Sequence, residues 1–125
     1  MTFDWLEYLH LAKKLAGEAT TSAHQEAQLR VTIHLAYYAA FNLAKKHLQD
    51  KEGHSIPTTG DAHRYISEQF LFNPDSVHKS VGRKMKRLRL FRNQADYAAL
   101  FPNLSNFTTA SITLAEEIIS TFNSI

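Results

Sequence analysis

The sequence predicts an all-α bundle of about five helices in one domain, on three observations. Apolar residues recur at three-, four- and seven-residue spacings in several long stretches, as they do along one face of an amphipathic helix. Only four glycines and three prolines interrupt the 125 residues. No stretch alternates apolar and polar residues in the manner of a half-buried strand. Residues 1–125 are therefore expected to form one bundle of helices with short connections.

The first helix is predicted over Phe3–Ala16, before a turn at residues 18–21. Gly17 follows the last apolar position, where a glycine commonly ends a helix. The apolar stripe consists of Trp5, Leu6, Leu9, Ala12 and Leu15.

The second helix is predicted from Ser22 to Gln49, with Ser22 as N-cap and Gln25 completing a capping box. Apolar residues on one face are Leu29, Ile33, Ala36, Tyr37, Ala40, Leu43 and Ala44. Those that extend the apolar surface around the back are Val31, Leu35 and Ala39. A helix that is apolar on most sides is buried on most sides, so this helix is expected at the centre of the bundle.

Two further helices flank the most basic part of the chain. A polar loop at residues 50–60 precedes a short helix at Asp61–Leu71, which Asn73 and Pro74 terminate. Its inward residues are His63, Ile66 and Phe70. The last helix is predicted over Ser105–Phe122. Its buried residues are Phe107, Ala110, Leu114, Ile118 and Phe122.

The fourth helix, predicted from a cap at Asp75 or Ser76 to Tyr97, holds half of the fourteen lysines and arginines. These seven cations are Lys79, Arg83, Lys84, Lys86, Arg87, Arg89 and Arg92. No acidic residue occurs between Ser76 and Ala95. We expect a phosphate-binding surface for RNA here. Its candidate residues are Arg83, Lys84, Lys86, Arg87 and Arg89. A solvated cationic face that balances acids elsewhere is the alternative.

This basic helix is also amphipathic. Its apolar face carries Val77, Val81, Met85, Leu88 and Ala95. Arg92 falls near the edge of that face, so its guanidinium needs a partner, a cleft or another subunit. Leu90 falls on the opposite face, which predicts that the helix is covered from a second side.

Several function classes lack support in the sequence. The chain has no cysteine, so neither a disulfide framework nor thiol chemistry is expected. No apolar run reaches the length of a membrane span, and the acidic start is unlike a signal peptide, so we expect a cytoplasmic protein without membrane contact. Seven histidines occur, but none forms an HxxxH or HExxH pair, and we predict no metal and no cofactor. Neither a Gly-rich phosphate loop nor a helix-turn-helix pattern is present.

Three blocks of sequence resemble the HEPN domain family. Residues 36–48, AYYAAFNLAKKHL, are similar to the signature of its second helix, and Arg30 matches a preceding arginine. Residues 60–70, GDAHRYISEQF, resemble the short helix that follows. Residues 87–97, RLRLFRNQADY, resemble the end of the next long helix. The blocks occur in the family's order and together span most of the chain from Arg30 to Tyr97.

The resemblance implies a helical bundle that forms a homodimer through its long helices. Many HEPN proteins are metal-independent ribonucleases, and others are inactive binding or scaffold modules. Many are encoded beside a minimal nucleotidyltransferase as a toxin–antitoxin pair, or in other defence loci. The implied partners are therefore a second copy, RNA, and a nucleotidyltransferase or another operon-encoded protein.

The ribonuclease motif of the family is an arginine, often a following polar residue, and a histidine after four to six intervening positions. Arg92 and Asn93 match its start, and Tyr97 stands where the histidine would follow four intervening residues. The last histidine in the chain is His78, so the motif histidine is absent. This departure argues against standard HEPN ribonuclease activity.

The candidate catalytic residues are accordingly Arg92, Asn93 and Tyr97. Arg92 would stabilise a phosphate, or it would form an i,i+4 ion pair with Asp96 that holds the helix end. Tyr97 is a poor general base at neutral pH, because an unperturbed tyrosine has a pKa of about 10.

Three accessory residues have competing interpretations. His63 and His47 are candidates to replace the missing histidine, although helical phase points both towards apolar faces and favours a core role for each. Tyr37 would stack on a base, although its phase favours the core.

Two functions remain open from the sequence. The first is a dimeric HEPN-type effector of the toxin or defence kind that binds or cleaves RNA. The second is a catalytically silent HEPN module that binds and regulates a partner protein or nucleotide. The missing histidine favours the second, and the basic helix favours RNA contact.

Overall fold

Five α-helices follow one another along the chain, as the apolar periodicity predicts. The computed structural model describes residues 3–18 and 22–125, apart from the side chains of residues 22 and 23. No strand occurs in this described part. The helices are α1 (Leu6–Gly17), α2 (Ser22–Lys51), α3 (Ala62–Leu71), α4 (Ser76–Tyr97) and α5 (Leu104–Phe122). The fold class is thus the predicted all-α bundle, and none of the described helices has the length and apolarity to cross a membrane.

The long α2 helix is the centre of the bundle and packs against all four other helices. Its small residues Ala36, Ala39, Ala40 and Ala44 are completely buried, which lets the neighbouring helices approach closely. The predicted N-cap of α2 is the side chain of Ser22, and the turn predicted before it includes residues 19–21. Both lie outside the described part of the chain.

The first helix begins three residues later than predicted. The backbone N–H of Leu6 donates to the side chain of Asp4 over 3.0 Å, so the chain makes a local turn before α1 starts. Phe3, Trp5 and Tyr8 pack edge to face around this turn. Phe3 and Trp5, which the prediction placed within the helix, therefore precede it and pack on Tyr8 in its first turn.

The α3 and α4 helices approach each other closely at Gly82. A Cβ atom added to Gly82 would lie 2.5 Å from the backbone nitrogen of Leu71, well inside contact distance. The turn between the helices is fixed by Asp75, whose carboxylate accepts the backbone N–H of His78 over 3.1 Å as the N-cap of α4. The cleft described below lies between the same two helices.

Arg30 of α2 holds the carboxyl end of α4. Its guanidinium donates to the backbone carbonyls of Ala95 over 3.0 Å and Ala98 over 2.7 Å. These are carbonyls that the end of a helix leaves without internal partners, and a cation there also complements the helix dipole. The α4 terminus is thereby fixed against the middle of the bundle.

The apolar face of α4 is largely the predicted one. Val81, Met85, Leu88 and Ala95 are buried against α2 and its neighbours. Leu90 differs from the prediction that a second side of the helix is covered, because it is 63% exposed in the single chain.

Candidate functional site

Arg92 is buried at the centre of a polar and aromatic cluster between α4 and α2. Arg92 is only 8% exposed. The guanidinium carbon lies 5.3 Å from the ring centres of both Tyr37 and Tyr38, close enough for cation–π attraction. Nη1 donates to Oδ2 of Asp96 over 3.4 Å, so the i,i+4 pair is present. The Arg92 charge is therefore shared between two aromatic rings and one carboxylate.

Asp96 joins Arg92 to a histidine that the sequence patterns did not single out. Its Oδ2 also lies 2.9 Å from Nδ1 of His34. The His34 ring packs against Tyr38, with 4.8 Å between centroids. The signal in the sequence was the spacing of His34 one helical turn before Tyr37 and Tyr38, which places all three on the side of α2 that meets α4.

His63 of α3 completes this cluster from the other side. Its Nδ1 lies 2.5 Å from the Tyr37 hydroxyl, and its ring stacks on Phe41 at 4.3 Å. Burial, followed by the nearby Arg89 and Arg92 charges, lowers the pKa of His63. Burial also raises the pKa of the Tyr37 hydroxyl, which therefore stays protonated and donates to a neutral imidazole.

The three candidate catalytic residues are not gathered at one point. Arg92 is enclosed by its partners, whereas Asn93 is half-buried and lines a neighbouring cleft. Tyr97 is 79% exposed and forms no hydrogen bond or ring contact with the Arg92 cluster in the part of the chain that the structure describes. Arg92, Asn93 and Tyr97 therefore do not form one group in the described part of the chain.

A cleft of about 500 Å³ lies between α3 and α4, beside the Arg92 cluster. Its lining residues are Arg64, Ser67, Glu68, Lys86, Arg89, Leu90 and Asn93. Three of these are cations and one is an acid. Glu68 lies 3.9 Å from Nε of Arg64, so the acid offsets only part of the positive charge. Nε of Arg89 is buried without a hydrogen-bond partner among the described residues.

The other predicted RNA-binding residues differ in their availability. Arg83 and Arg87 are exposed on α4, and the Arg87 guanidinium lies 6.0 Å from the ring centre of Phe91. Lys84 instead turns towards α5, where its Nζ lies 2.9 Å from a carboxylate oxygen of Glu117. Arg64 of α3 was missed, because an isolated exposed cation carries no local pattern.

A second polar cluster lies at the carboxyl end of α2. Oε2 of Glu52 is 2.9 Å from Nε2 of His47 and 3.3 Å from Nε2 of His78. Nδ1 of His78 lies 2.7 Å from Oδ2 of Asp75. His54 is nearby, with its Nε2 4.0 Å from the other Glu52 oxygen. The sequence predicted no metal site, but these residues are of the types that bind metals and come from separate segments of the chain.

The chain matches no protein-family model, no curated protein and no solved structure. Its function is therefore inferred from the two clusters and the cleft. The resemblance to the HEPN family stays a prediction of the sequence.

Proposed function

We propose that this chain is an RNA-binding protein of the HEPN type, in which the α3–α4 cleft holds the phosphate backbone. In this proposal Arg92 organises the fold next to the cleft and does not take part in chemistry. The observation that carries it is the convergence of Arg64, Lys86 and Arg89 on one cleft that contains the single acid Glu68.

The chemistry of these side chains suits phosphate. Arginine binds phosphate through two parallel hydrogen bonds, and lysine contributes a mobile point charge. The Arg89 side chain lines the cleft, while its Nε, like that of Arg92, is buried without a hydrogen-bond partner among the described residues. The side chains of the cleft suit the phosphate backbone of RNA and show no pattern of groups for recognising base edges. We therefore expect little preference for RNA sequence.

Binding is favoured over cleavage by the state of the neighbouring groups. Arg92 already interacts with Asp96, Tyr37 and Tyr38. Nδ1 of His63 faces the Tyr37 hydroxyl, and no histidine follows Arg92 in the chain. We therefore propose binding, and not cleavage, as the role of the cleft residues that the structure describes.

The test is a charge reversal of the two exposed cations of the cleft. Arg64→Glu together with Lys86→Glu should weaken the binding of a fluorescent single-stranded RNA by about tenfold or more and flatten the salt dependence, because fewer counterions are released. Fluorescence anisotropy over a series of salt concentrations gives both quantities.

The matched control is Lys14→Glu with Lys46→Glu, which changes the net charge equally at exposed positions outside the cleft. This control should retain most of the affinity. Equal losses in both double variants would show that only net charge matters, and wild-type binding that ignores salt would contradict the proposal. Robust metal-independent cleavage by the wild type, lost in Arg92→Ala, would make the protein a ribonuclease instead.

Exposed apolar residues favour a second candidate function, in which the α4 face binds a protein. Leu90 and Tyr97 are seven residues apart on one side of α4, and they are 63% and 79% exposed. Leu100, just beyond the helix, is 84% exposed. Apolar residues of this size on one helix side favour a protein contact. We propose a second copy of this chain as the first partner, as the HEPN resemblance implies, and an operon-encoded protein such as a nucleotidyltransferase as the alternative.

Light scattering tests the homodimer. The wild type is expected to be dimeric at micromolar concentration, and Leu90→Glu should shift it towards monomer by placing a charge in the contact. The exposed Thr113→Glu on α5 is the matched control and should leave the assembly unchanged. A wild type that is strictly monomeric under these conditions would rule out this dimer.

A further inference from the structure

We propose that His47, Glu52 and His78 form a binding site for a divalent transition metal, and that Zn²⁺ suits it best. The candidate ligand atoms all lie within 4.8 Å of one another. Two imidazoles and one carboxylate are a ligand set that Zn²⁺ commonly takes. This site lies away from the α3–α4 cleft and does not depend on RNA binding.

Two of the three spacings between the ligand atoms are close to those of a tetrahedral site. With metal–ligand bonds of about 2.0–2.2 Å, neighbouring ligand atoms of a tetrahedral zinc lie about 3.3–3.6 Å apart. Oε2 of Glu52 lies 2.9 Å from Nε2 of His47 and 3.3 Å from Nε2 of His78. Small side-chain rotations would therefore admit the ion.

Asp75 prepares His78 for this role. Its Oδ2 lies 2.7 Å from Nδ1 of His78, so in the neutral ring Nδ1–H donates to Asp75 and the lone pair is on Nε2. That lone pair then faces the Glu52 carboxylate at 3.3 Å, and either a proton or a metal ion between them satisfies both groups. A carboxylate behind a ligating histidine is the arrangement by which proteins orient metal-bound imidazoles.

The site also offers a fourth ligand and an entry path. Gly53 adopts φ 71°, which turns the chain at the end of α2 and brings His54 beside Glu52. Nε2 of His54 lies 4.0 Å from Oε1 of Glu52, while its Nδ1 lies 2.8 Å from the Tyr65 hydroxyl. The His47 side chain is 5% exposed, whereas those of Glu52 and His54 are 28% and 24% exposed. The ion would enter from the Glu52 side and tie the end of α2 to the start of α4.

The competing interpretation is a network held by protons alone, in which Glu52 accepts N–H groups from His47 and His78. Calorimetric titration of the metal-free protein with zinc chloride separates the two. We expect one ion per chain and a higher melting temperature, because the ion binds the folded state. Titration with Co²⁺ should give the visible absorption of a tetrahedral complex.

Variants locate the ion. His78→Asn should abolish the 1:1 binding and the Co²⁺ spectrum, whereas Asp75→Asn should weaken affinity about 10–100-fold, as loss of an outer partner does. His10→Asn is the matched control, because His10 is an exposed histidine whose Nδ1 lies 3.3 Å from Glu7. It should bind as the wild type does.

Three results would overturn the proposal. They are the absence of stoichiometric binding by the wild type, unchanged binding by His78→Asn, and loss of binding in His10→Asn. If the His78 variant does not fold, the wild type alone still decides. Zn²⁺ must then shift the imidazole resonances of His47 and His78 before those of His10.

Discussion

The Arg92 guanidinium is tolerated inside the bundle because several groups share its charge. Asp96 supplies an ion pair, and the rings of Tyr37 and Tyr38 supply two electron-rich faces. Helical phase predicted that Arg92 lies at the edge of an apolar face, and the i,i+4 spacing predicted Asp96. The tyrosines and His34 could not be assigned to it, because they lie more than fifty residues earlier in the chain.

Replacing Arg92 should cost stability. Arg92→Ala removes the ion pair with Asp96 and both ring contacts. Breaking a buried pair typically lowers the free energy of unfolding by about 3–5 kcal/mol. We expect a loss of about 3 kcal/mol, because Asp96 keeps its contact with His34. Arg92→Lys should recover only part, since an ammonium lacks the planar group that packs between rings. Urea unfolding measures the difference. Arg83→Ala, at an exposed position, is the control and should change stability by less than about 0.5 kcal/mol. A loss no larger than that of the control would show that the Arg92 contacts are not stabilising.

His63 should make the protein less stable in acid. The groups that face it are Tyr37, Tyr38 and Phe41 of α2, and Arg89 and Arg92 of α4. Its pKa in the folded protein lies below the ordinary value of 6.5, so the unfolded chain binds the proton more tightly. The contribution of His63 to stability is therefore present above pH 6.5 and is lost as the pH falls through the folded-state pKa.

The measurement compares wild type and His63→Gln in urea unfolding between about pH 7.5 and about pH 5. The glutamine cannot titrate but keeps a hydrogen-bonding group for Tyr37. The wild type should lose more stability than the variant over this range. Equal losses would show that His63 is protonated as easily in the folded protein as in the unfolded chain.

At the scale of the helices, Gly82 sets the distance between α3 and α4. An alanine usually stabilises a helix interior by about 1 kcal/mol relative to glycine. At Gly82 the added Cβ would instead meet the backbone of Leu71 at 2.5–2.6 Å. Overpacking of this kind costs about 1–3 kcal/mol, and here the obstacle is backbone that cannot rotate away.

Gly82→Ala is therefore expected to lower the free energy of unfolding by about 2 kcal/mol despite the gain in helix propensity. Gly17→Ala is the control, because nothing lies within 4 Å of a Cβ at that position. A thermal or urea unfolding curve decides between the outcomes. A Gly82→Ala protein as stable as the wild type would mean that the two helices can move apart at little cost.

The helices themselves were predictable because their signals are local. Apolar periodicity located all five, and Asp75 was one of the two residues predicted to cap α4. The contacts between helices were not predictable, since they depend on how the helices cross. Arg64 lines the cleft, Arg30 binds the end of α4, and His47 belongs to the second cluster. No short-range sequence pattern predicted any of these three contacts.

For the whole molecule, the two polar sites are separated along α4. The histidine and glutamate cluster lies at its amino end, and the cationic cleft and Arg92 lie in its second half. A net charge of only +2 concealed this arrangement, because acids elsewhere offset the cations of α4. The distribution of charge, and not its total, is what supports phosphate binding.

The position of RNA on the protein is the most direct measure of this account. Backbone amide resonances of the ¹⁵N-labelled wild type would be followed during titration with a single-stranded RNA of about ten nucleotides at low salt. The largest shifts should occur at residues 64–68 of α3 and 86–93 of α4, and they should disappear in Arg64→Glu with Lys86→Glu. Shifts centred on Lys13, Lys14 and Lys46, or no shifts at all, would contradict the proposal that the α3–α4 cleft binds RNA.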